Sequence, residues 1–356
     1  MLYIVFYMCF YLLLNSCATV VAPSGGEIDT LPPKLVFTTP NNQSVNFTQN
    51  EILLVFDEYI QIKNKSEVNF FPEINPRPTI IIRGKSIILE LPGELKPNTT
   101  HIVNFNSSIV DINESNPLKN FKYVFSTGDI IDTCQLIGDV FDLKSNAKTQ
   151  GAKVGLFKNK LVENFDSLIR TEAPDYFIYS NENGQYSFSN LKSGNYILYG
   201  TRDLNLNSNY EGGEPISMPV EITIKDNQKS DVFLFIEGGF SKKDTLNFSH
   251  KRPKNTPLST GSVNFNFKED VYKNGKHIGE IMLNDSSFFC FYINSNIIQI
   301  DSLLTGVYSF RMFEDANENN TWDPGDIKNL IPPEKIKHFV DNIEIKKDWK
   351  IDFFID

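Results

Sequence analysis

From residue 34 onward the chain alternates short apolar runs with polar, turn-forming breaks. The runs KLVFTTP, NEILLVFDEYI, TIIIRGKSIILELP, HIVNFNSSIV and FKYVFSTGD are rich in β-branched and aromatic residues. Strands at this spacing, divided by turn residues, are typical of a β-sandwich. Inside TIIIRGKSIILELP, the polar residues 83–86 predict a hairpin turn between two apolar strands.

A repeated segment predicts that the rest of the chain holds two copies of one module. Residues 194–203 align without a gap on residues 306–315, at an offset of 112 residues, and both segments begin with Gly-x-Tyr. The register continues into two polar loops that carry Tyr210 and Trp322 at matching places. A match at a fixed offset indicates duplication.

The segment GQYSFSNLKSGNY resembles the hairpin and G-x-Y strand of prealbumin-like or carboxypeptidase-regulatory-like β-sandwiches. This resemblance covers residues 134–238. Residues 241–258 are polar, contain two prolines and five cationic side chains, and predict an interdomain linker. A basic patch for anionic lipid or lipopolysaccharide is the alternative for this segment.

A set of short motifs in residues 17–129 carries a family likeness. The motifs are Pro23, Gly25, Gly26, Asp29 and Pro32-Pro33, followed by FDEY, LKPNTT, DINE and FSTGD. Together they resemble lipoproteins of Bacteroidota with an SbsA-type bacterial Ig-like domain. The resemblance implies an Ig-like fold and brings no catalytic activity with it. In that family a tyrosine usually follows Asn-Thr-Thr, whereas this chain has His101.

The first 17 residues predict a compartment. Residues 2–14 form an uncharged apolar run that is too short to span a bilayer and has the length of a signal-peptide core. The run ends in Leu-Asn-Ser-Cys17, which resembles a bacterial lipobox. We therefore expect cleavage after residue 16 and lipidation of Cys17. The alternative is an apolar anchor in which Cys17 is incidental.

These observations predict an all-β chain of three tandem β-sandwich modules, one Ig-like and two prealbumin-like, after a cleaved lipoprotein signal peptide. The predicted boundaries are 1–16 for the signal peptide, 17–33 for a lipid-anchored tether, 34–129 for the Ig-like domain, 130–240 and 259–356 for the two further sandwiches, and 241–258 for the linker.

Composition narrows the classes of function. The chain has 34 Lys and Arg against 44 Asp and Glu, a net charge of −10, which argues against nucleic-acid binding because neutralising phosphates needs a basic face. The four cysteines and four histidines do not have the spacing of a metal cluster, and no serine-hydrolase, zinc-protease or dinucleotide motif occurs. Cys134 and Cys290 are predicted to be buried free thiols.

Two acidic loops carry the strongest chemical signal. Residues 203–214 and 315–326 place oxygen-bearing side chains at alternate positions of a twelve-residue loop, as calcium loops do. The predicted ligands are Asp203, Asn205, Asn207, Asn209, Glu211 and Glu214 in the first loop, and Asp315, Asn317, Asn319, Thr321, Asp323 and Asp326 in the second. A bound Ca²⁺ would be structural. The alternative is that these residues form turn hydrogen bonds without an ion.

The sequence therefore predicts a non-enzymatic, lipid-anchored envelope protein that acts as a spacer and protein-interaction module. Residues 18–26 lack an early acidic run, so we expect the periplasmic face of the outer membrane. The alternative is a glycan-binding accessory protein of the envelope, because aromatic residues are plentiful and Trp322 lies inside a loop. Aromatic rings exposed on a concave face would favour the glycan alternative, and rings confined to cores would favour the spacer.

Overall fold

A computed structural model describes residues 28–205, 210–236, 259–268, 276–283, 286–320 and 322–355. In this part of the chain the fold is all-β and multidomain, as predicted, with one short helix, α1 (Phe165–Thr171). Several predicted features lie outside the described residues: the signal peptide, Cys17, the linker, Asn207, Asn209 and Thr321. No described helix is long and apolar enough to cross a membrane.

The first module is a sandwich of two antiparallel sheets. Sheet β1-β2-β6-β5 and sheet β4-β7-β9 share one apolar core, and β3 and β8 form a separate small ladder. The strands are β1 Leu35–Thr39, β2 Glu51–Phe56, β3 Ile60–Ile62, β4 Asn69–Phe71, β5 Thr79–Arg83, β6 Ser86–Glu90, β7 Thr100–Asn106, β8 Ile109–Asp111 and β9 Phe121–Ser126, with a 3-10 turn at Lys65–Glu67. Gly84, with φ of +63°, lies in the predicted turn between β5 and β6.

His101 is a core residue of this first module. Its side chain is 2% exposed and stacks on Phe125, with 5.1 Å between the ring centroids. Burial lowers the pKa of His101 to about 4, although the Lys96 backbone partly opposes the shift. The imidazole is therefore neutral at neutral pH.

The second and third modules share the order of their main strands. In the second, β12-β11-β14-β16 forms one part of the sheet, β13-β10 continues into β17 and β18, and β15 joins the two parts by pairing with β14 and β18. In the third, the layers are β21-β20-β23-β24 and β22-β19-β25. The strands are β10 Cys134–Asp142, β11 Lys153–Lys158, β12 Tyr176–Tyr179, β13 Gln185–Leu191, β14 Gly194–Thr201, β15 Pro215–Ile216, β16 Val220–Ile224, β17 Asn227–Lys229, β18 Val232–Ile236, β19 Thr260–Phe267, β20 His277–Leu283, β21 Ser286–Tyr292, β22 Ile297–Leu304, β23 Gly306–Glu314, β24 Ile336–Ile345 and β25 Lys350–Ile355, with a 3-10 turn at Val162–Asn164.

The predicted duplication is confirmed by register as well as by strand order. The first glycine of each Gly-x-Tyr strand pairs with an isoleucine, Gly194 with Ile224 and Gly306 with Ile345. The tyrosines repeat one hydrogen bond: the Tyr196 hydroxyl donates to the Lys192 carbonyl at 2.7 Å, and the Tyr308 hydroxyl donates to the Leu304 carbonyl at 3.1 Å.

Consecutive modules dock through apolar contacts. Phe71, Ile102 and Val124 of the first module belong to the core cluster of the second, and the Phe71 and Phe177 rings meet edge to face at 5.1 Å. Ile327 of the third module is fully buried in another cluster of the second module. Apolar area removed from water in this way holds neighbouring modules together.

The two cysteines in the described part of the chain are thiols and not half of a disulfide, as predicted. Cys290 is buried, whereas Cys134 is only partly buried, because it lies at the start of β10. The Cys134 thiol donates to the Lys225 carbonyl at 3.1 Å.

Candidate functional site

Each acidic loop is closed by one buried glutamate, Glu214 in the first loop and Glu334 in the second. In both cases each of the two carboxylate oxygens accepts a hydrogen bond from one backbone amide. Oε1 and Oε2 of Glu214 accept from the amides of Leu204 (2.9 Å) and Glu211 (3.0 Å), and those of Glu334 accept from Ala316 (2.8 Å) and Asp323 (3.1 Å). The amide donors in the second loop lie 112 residues after those in the first loop, which is the offset of the repeat. We call Glu214 and Glu334 the glutamate clamps.

The structure pairs Glu214 with Glu334, whereas the sequence register pairs it with Asp326. Glu334 lies 120 residues after Glu214, eight more than the repeat offset, because residues 324–333 form a longer connection. We call residues 324–333 the insertion. Within it, Asp326 accepts from the backbone (3.0 Å) and side-chain (2.6 Å) nitrogens of Asn329. An alignment without gaps cannot detect such an insertion.

Asp315 begins the second loop and is buried at 2% exposure. Its Oδ2 accepts from the Asn320 amide at 3.0 Å and lies 3.2 Å from the Lys276 ammonium. Lys276 also donates to the Asn320 side chain at 2.6 Å. In the described chain, Oδ1 of Asp315 has no hydrogen-bond partner. One buried carboxylate oxygen therefore remains unsatisfied beside a lysine.

Other predicted ligands come together but bond to one another. Oδ2 of Asp323 accepts from the side-chain amides of Asn317 at 2.6 Å and Asn319 at 2.9 Å. In the first loop, Oε2 of Glu211 accepts from the Asn205 side chain at 3.2 Å. Asp203, the counterpart of Asp315, is partly buried. These contacts are hydrogen bonds between side chains of the same loop.

Like charges accumulate at the second loop. Burial raises the pKa of Glu334, and the negative charges of Asp323 and Asp315 raise it further, while the two clamped amides act in the opposite direction. Among the described residues, no three side chains of His, Cys, Asp or Glu converge to hold a metal ion. A calcium shell would need amide and backbone oxygens to complete it. Calcium binding stays a prediction.

Each loop also contributes one aromatic ring that an arginine covers. The guanidinium of Arg170, from α1, lies 5.0 Å from the Tyr210 ring centroid, and that of Arg311 lies 4.7 Å from the Trp322 ring centroid. The indole nitrogen of Trp322 donates to the Glu334 carbonyl at 3.0 Å, and the ring packs on an apolar cluster. Trp322 is therefore part of a core and not an open platform for sugar stacking.

Sequence reasoning missed Glu334 and the pair formed by Arg311 and Glu280. Nε of Arg311 donates to Oε2 of Glu280 at 2.7 Å, and both side chains are buried. A local signal for Glu334 does exist. Glu334 is followed by Lys-Ile, as Glu214 is followed by Pro-Ile, and each isoleucine pairs with the strand before its loop.

Residues 29–127 match the family model of the bacterial Ig-like domain. The first module is thus Ig-like, and the match agrees with the predicted domain at 34–129. A comparison with curated proteins gives no match.

Several solved structures resemble the chain weakly. The minor pilin GBS52 of Streptococcus agalactiae is 14% identical and aligns over 62% of this chain and 94% of its own, with a TM-score of 0.22. The major pilin subunit BcpA of Bacillus cereus is 12% identical over 57% and 70%, with a TM-score of 0.21. The N-terminal part of the bacterial S-layer protein SbsC is 10% identical over 55% and 45%, also at 0.21. At these scores the likenesses say nothing about the function of this chain.

Proposed function

We propose that the chain is a lipid-anchored cell-envelope protein of the SbsA-type Ig-like lipoproteins, which works without catalysis as a structural and protein-interaction module. Its place is the periplasmic face of the outer membrane. The lipobox-like sequence ending at Cys17 and the match of residues 29–127 to the bacterial Ig-like domain support this proposal.

The docking of consecutive modules is the observation that carries the proposal. The Ig-like domain shares an apolar cluster with the second module, and Ile327 of the third module is buried in another cluster of the second module. A docked series of modules transmits a fixed orientation from an anchor to a distant surface, which flexibly linked domains do not do. This property suits a spacer that presents a partner-binding face.

The anchor is tested by expressing the full chain and a Cys17→Ser variant in a Gram-negative host with an alkyne fatty acid. We expect label on the wild-type protein alone and wild-type protein in the outer-membrane fraction. Equal labelling of both proteins, or a soluble wild-type protein, would overturn the anchor.

The docking is tested by Ile327→Asp, with Ile331→Asp as the matched control, because Ile331 lies in the same insertion and is 53% exposed. Small-angle scattering of the full chain should show a larger maximum dimension for Ile327→Asp and no change for Ile331→Asp. An unchanged profile for Ile327→Asp would contradict the spacer role.

We also propose that the acidic loops are weak calcium sites and that Lys276 competes with the ion in the second one. The unsatisfied oxygen of Asp315 and the mutual repulsion of Asp315, Asp323 and Glu334 support a cation there. Calcium should be titrated calorimetrically into the wild type and into Asp203→Ala, Asp315→Ala and Lys276→Gln variants, with magnesium as the control ion.

We expect a Kd of about 10⁻⁴ to 10⁻³ M for calcium, as in extracellular modules, with less heat in each aspartate variant. Lys276→Gln should tighten binding because the competing ammonium is gone. The absence of saturable heat at millimolar calcium in both the wild type and Lys276→Gln would leave the loops as turns held by hydrogen bonds.

A further inference from the structure

A polar groove of about 660 Å³ lies where the Ig-like domain docks on the second module. Residues of β7 and β9 line one side, and residues of β10, β12 and β13 line the other. The apolar contact of Phe71, Ile102 and Val124 with the second module fixes these walls relative to each other. The groove is therefore formed before any ligand arrives, which reduces the entropic cost of binding.

Side-chain amides dominate the polar lining of this groove. They belong to Asn104, Asn106, Asn120, Asn181 and Gln185. Within the described chain, the side chains of Asn120 and Gln185 make no hydrogen bond, and neither does the phenol of Tyr179. A side-chain amide can both donate and accept hydrogen bonds, and a phenol hydroxyl can donate or accept one. The groove thus presents unused hydrogen-bonding groups to a ligand.

The one carboxylate in the groove lining, that of Asp139, is already compensated within the protein. Asp139 pairs with Lys148 at 2.8 Å and with Lys229 at 3.5 Å. Lys122 donates to the Ser189 hydroxyl at 3.3 Å, and burial lowers the pKa of Lys122. Among the described residues Lys122 has no carboxylate partner, but the five side-chain amides outnumber this one ammonium, which favours an uncharged ligand.

The ring of Tyr179 adds an apolar face to the groove. Tyr179 is 51% exposed and lies at the end of β12. A sugar ring has a C–H face that packs on an aromatic ring and hydroxyl groups that bond to amides, which is the combination offered here. β12 and β13 are edge strands of their sheet, but the free groups described above belong to side chains, which favours the hydroxyls of a sugar over an added peptide strand.

We propose that this groove binds an uncharged oligosaccharide through Tyr179, Gln185 and Asn120. The site differs from the Trp322 loop that the sequence singled out. The proposal goes beyond the spacer role and depends neither on the lipid anchor nor on calcium, so each can fail separately.

The test uses calorimetric titration and saturation-transfer NMR on the full chain. The neutral probes are cellohexaose, maltohexaose, mannohexaose and N-acetylchitohexaose, and hexagalacturonate is the acidic probe. We expect saturable binding of at least one neutral probe. Tyr179→Ala and Gln185→Ala should each weaken it at least tenfold. Both residues are exposed, so the fold tolerates these changes.

Tyr59→Ala is the matched control, because Tyr59 is 62% exposed on the Ig-like domain and does not line the groove. It should leave binding unchanged. The proposal is overturned if no neutral probe binds, if hexagalacturonate binds at least as tightly as any neutral probe, or if the Tyr179 and Gln185 variants bind like the wild type.

Discussion

The two duplicated modules fill one cross-strand position in opposite ways. In the second module Gly155 of β11 pairs with Tyr199 of β14, and a Cβ added to Gly155 would lie 2.5 Å from the Tyr199 ring. In the third module the equivalent pair is Glu280 with Arg311. A tyrosine ring that covers a glycine in the second module thus occupies the position that a buried ion pair occupies in the third module.

This difference shows which features of the module are obligatory. The strand order, the Gly-x-Tyr hydrogen bond and the glutamate clamp are retained in both copies, because each satisfies backbone groups that any sequence would leave unpaired. The side chains on the sheet face are exchangeable, provided that volume and charge are balanced. The two tryptophans of the chain, Trp322 and Trp349, both lie in the third module, so their fluorescence reports on that module alone.

The largest effect is expected from breaking the ion pair. Arg311→Met leaves Glu280 buried without a counter-charge, which should lower the free energy of unfolding of the third module by about 3–5 kcal/mol. Urea unfolding followed by tryptophan fluorescence measures this. The double variant with Glu280→Met should recover most of the loss, as the apolar filling of the second module suggests. A double variant as unstable as the single one would contradict the comparison.

The glutamate clamps should give the next largest effect. Glu214→Gln and Glu334→Gln each place an NH₂ donor against a backbone N–H donor. Each should lower the free energy of unfolding by about 1–3 kcal/mol. The Glu334 variant should lose less at pH 7, because burial and two neighbouring carboxylates already oppose the Glu334 charge. Calorimetry of both variants measures the difference, and a larger loss for Glu334→Gln would contradict this ranking.

The raised pKa of Glu334 also sets a pH dependence. The folded state holds this proton more tightly than the unfolded chain does, so the contribution to stability is fully present below the unfolded pKa. It is lost as the pH rises through the folded pKa. Glu334→Gln should flatten this part of the tryptophan-detected stability profile.

A smaller effect is expected from Gly155→Ala. The new methyl group meets the Tyr199 ring, and overpacking costs about 1–3 kcal/mol, offset by the lower entropy of the unfolded alanine chain. Thermal melts followed by circular dichroism should show a destabilised second module. Gly93→Ala is the control, since a Cβ there would meet nothing within 4 Å and should be close to neutral.

The smallest effect is expected from removing the repeated tyrosine hydroxyls. Tyr196→Phe and Tyr308→Phe should each cost about 1 kcal/mol, the net value of a typical hydrogen bond. Tyr196→Phe should cost slightly more, because its bond of 2.7 Å is shorter than the 3.1 Å bond of Tyr308. No loss in either variant would mean that water replaces these bonds without cost.

The sequence predicted the features that depend on local patterns. Alternating apolar runs gave the strands of the Ig-like domain, and the fixed offset gave the duplicated module. The helix α1 was missed although Phe165, Leu168 and Ile169 have helical spacing, because seven residues give too short a pattern. Of the predicted calcium ligands that the structure describes, Asn317 and Asn319 lie beside Asp323, and Asn205 lies beside Glu211.

Other features depend on tertiary structure. Glu334 was missed because an insertion shifts it out of the repeat register. The groove was missed because its two sides come from strands about eighty residues apart, such as β7 and β13, which meet only when two modules dock. No spacing within a single segment announces such a surface.

The insertion in the second loop has a consequence for the order of the modules. Repeat arrays can gain or exchange units when every interface is alike. Here Ile327 lies in an apolar cluster of the preceding module that also contains Phe165 of the helix α1, and the earlier copy lacks the connection that carries Ile327. Exchanging the two copies would leave this isoleucine in water. The duplicated halves are therefore no longer interchangeable parts, because each junction needs the copy that now occupies it.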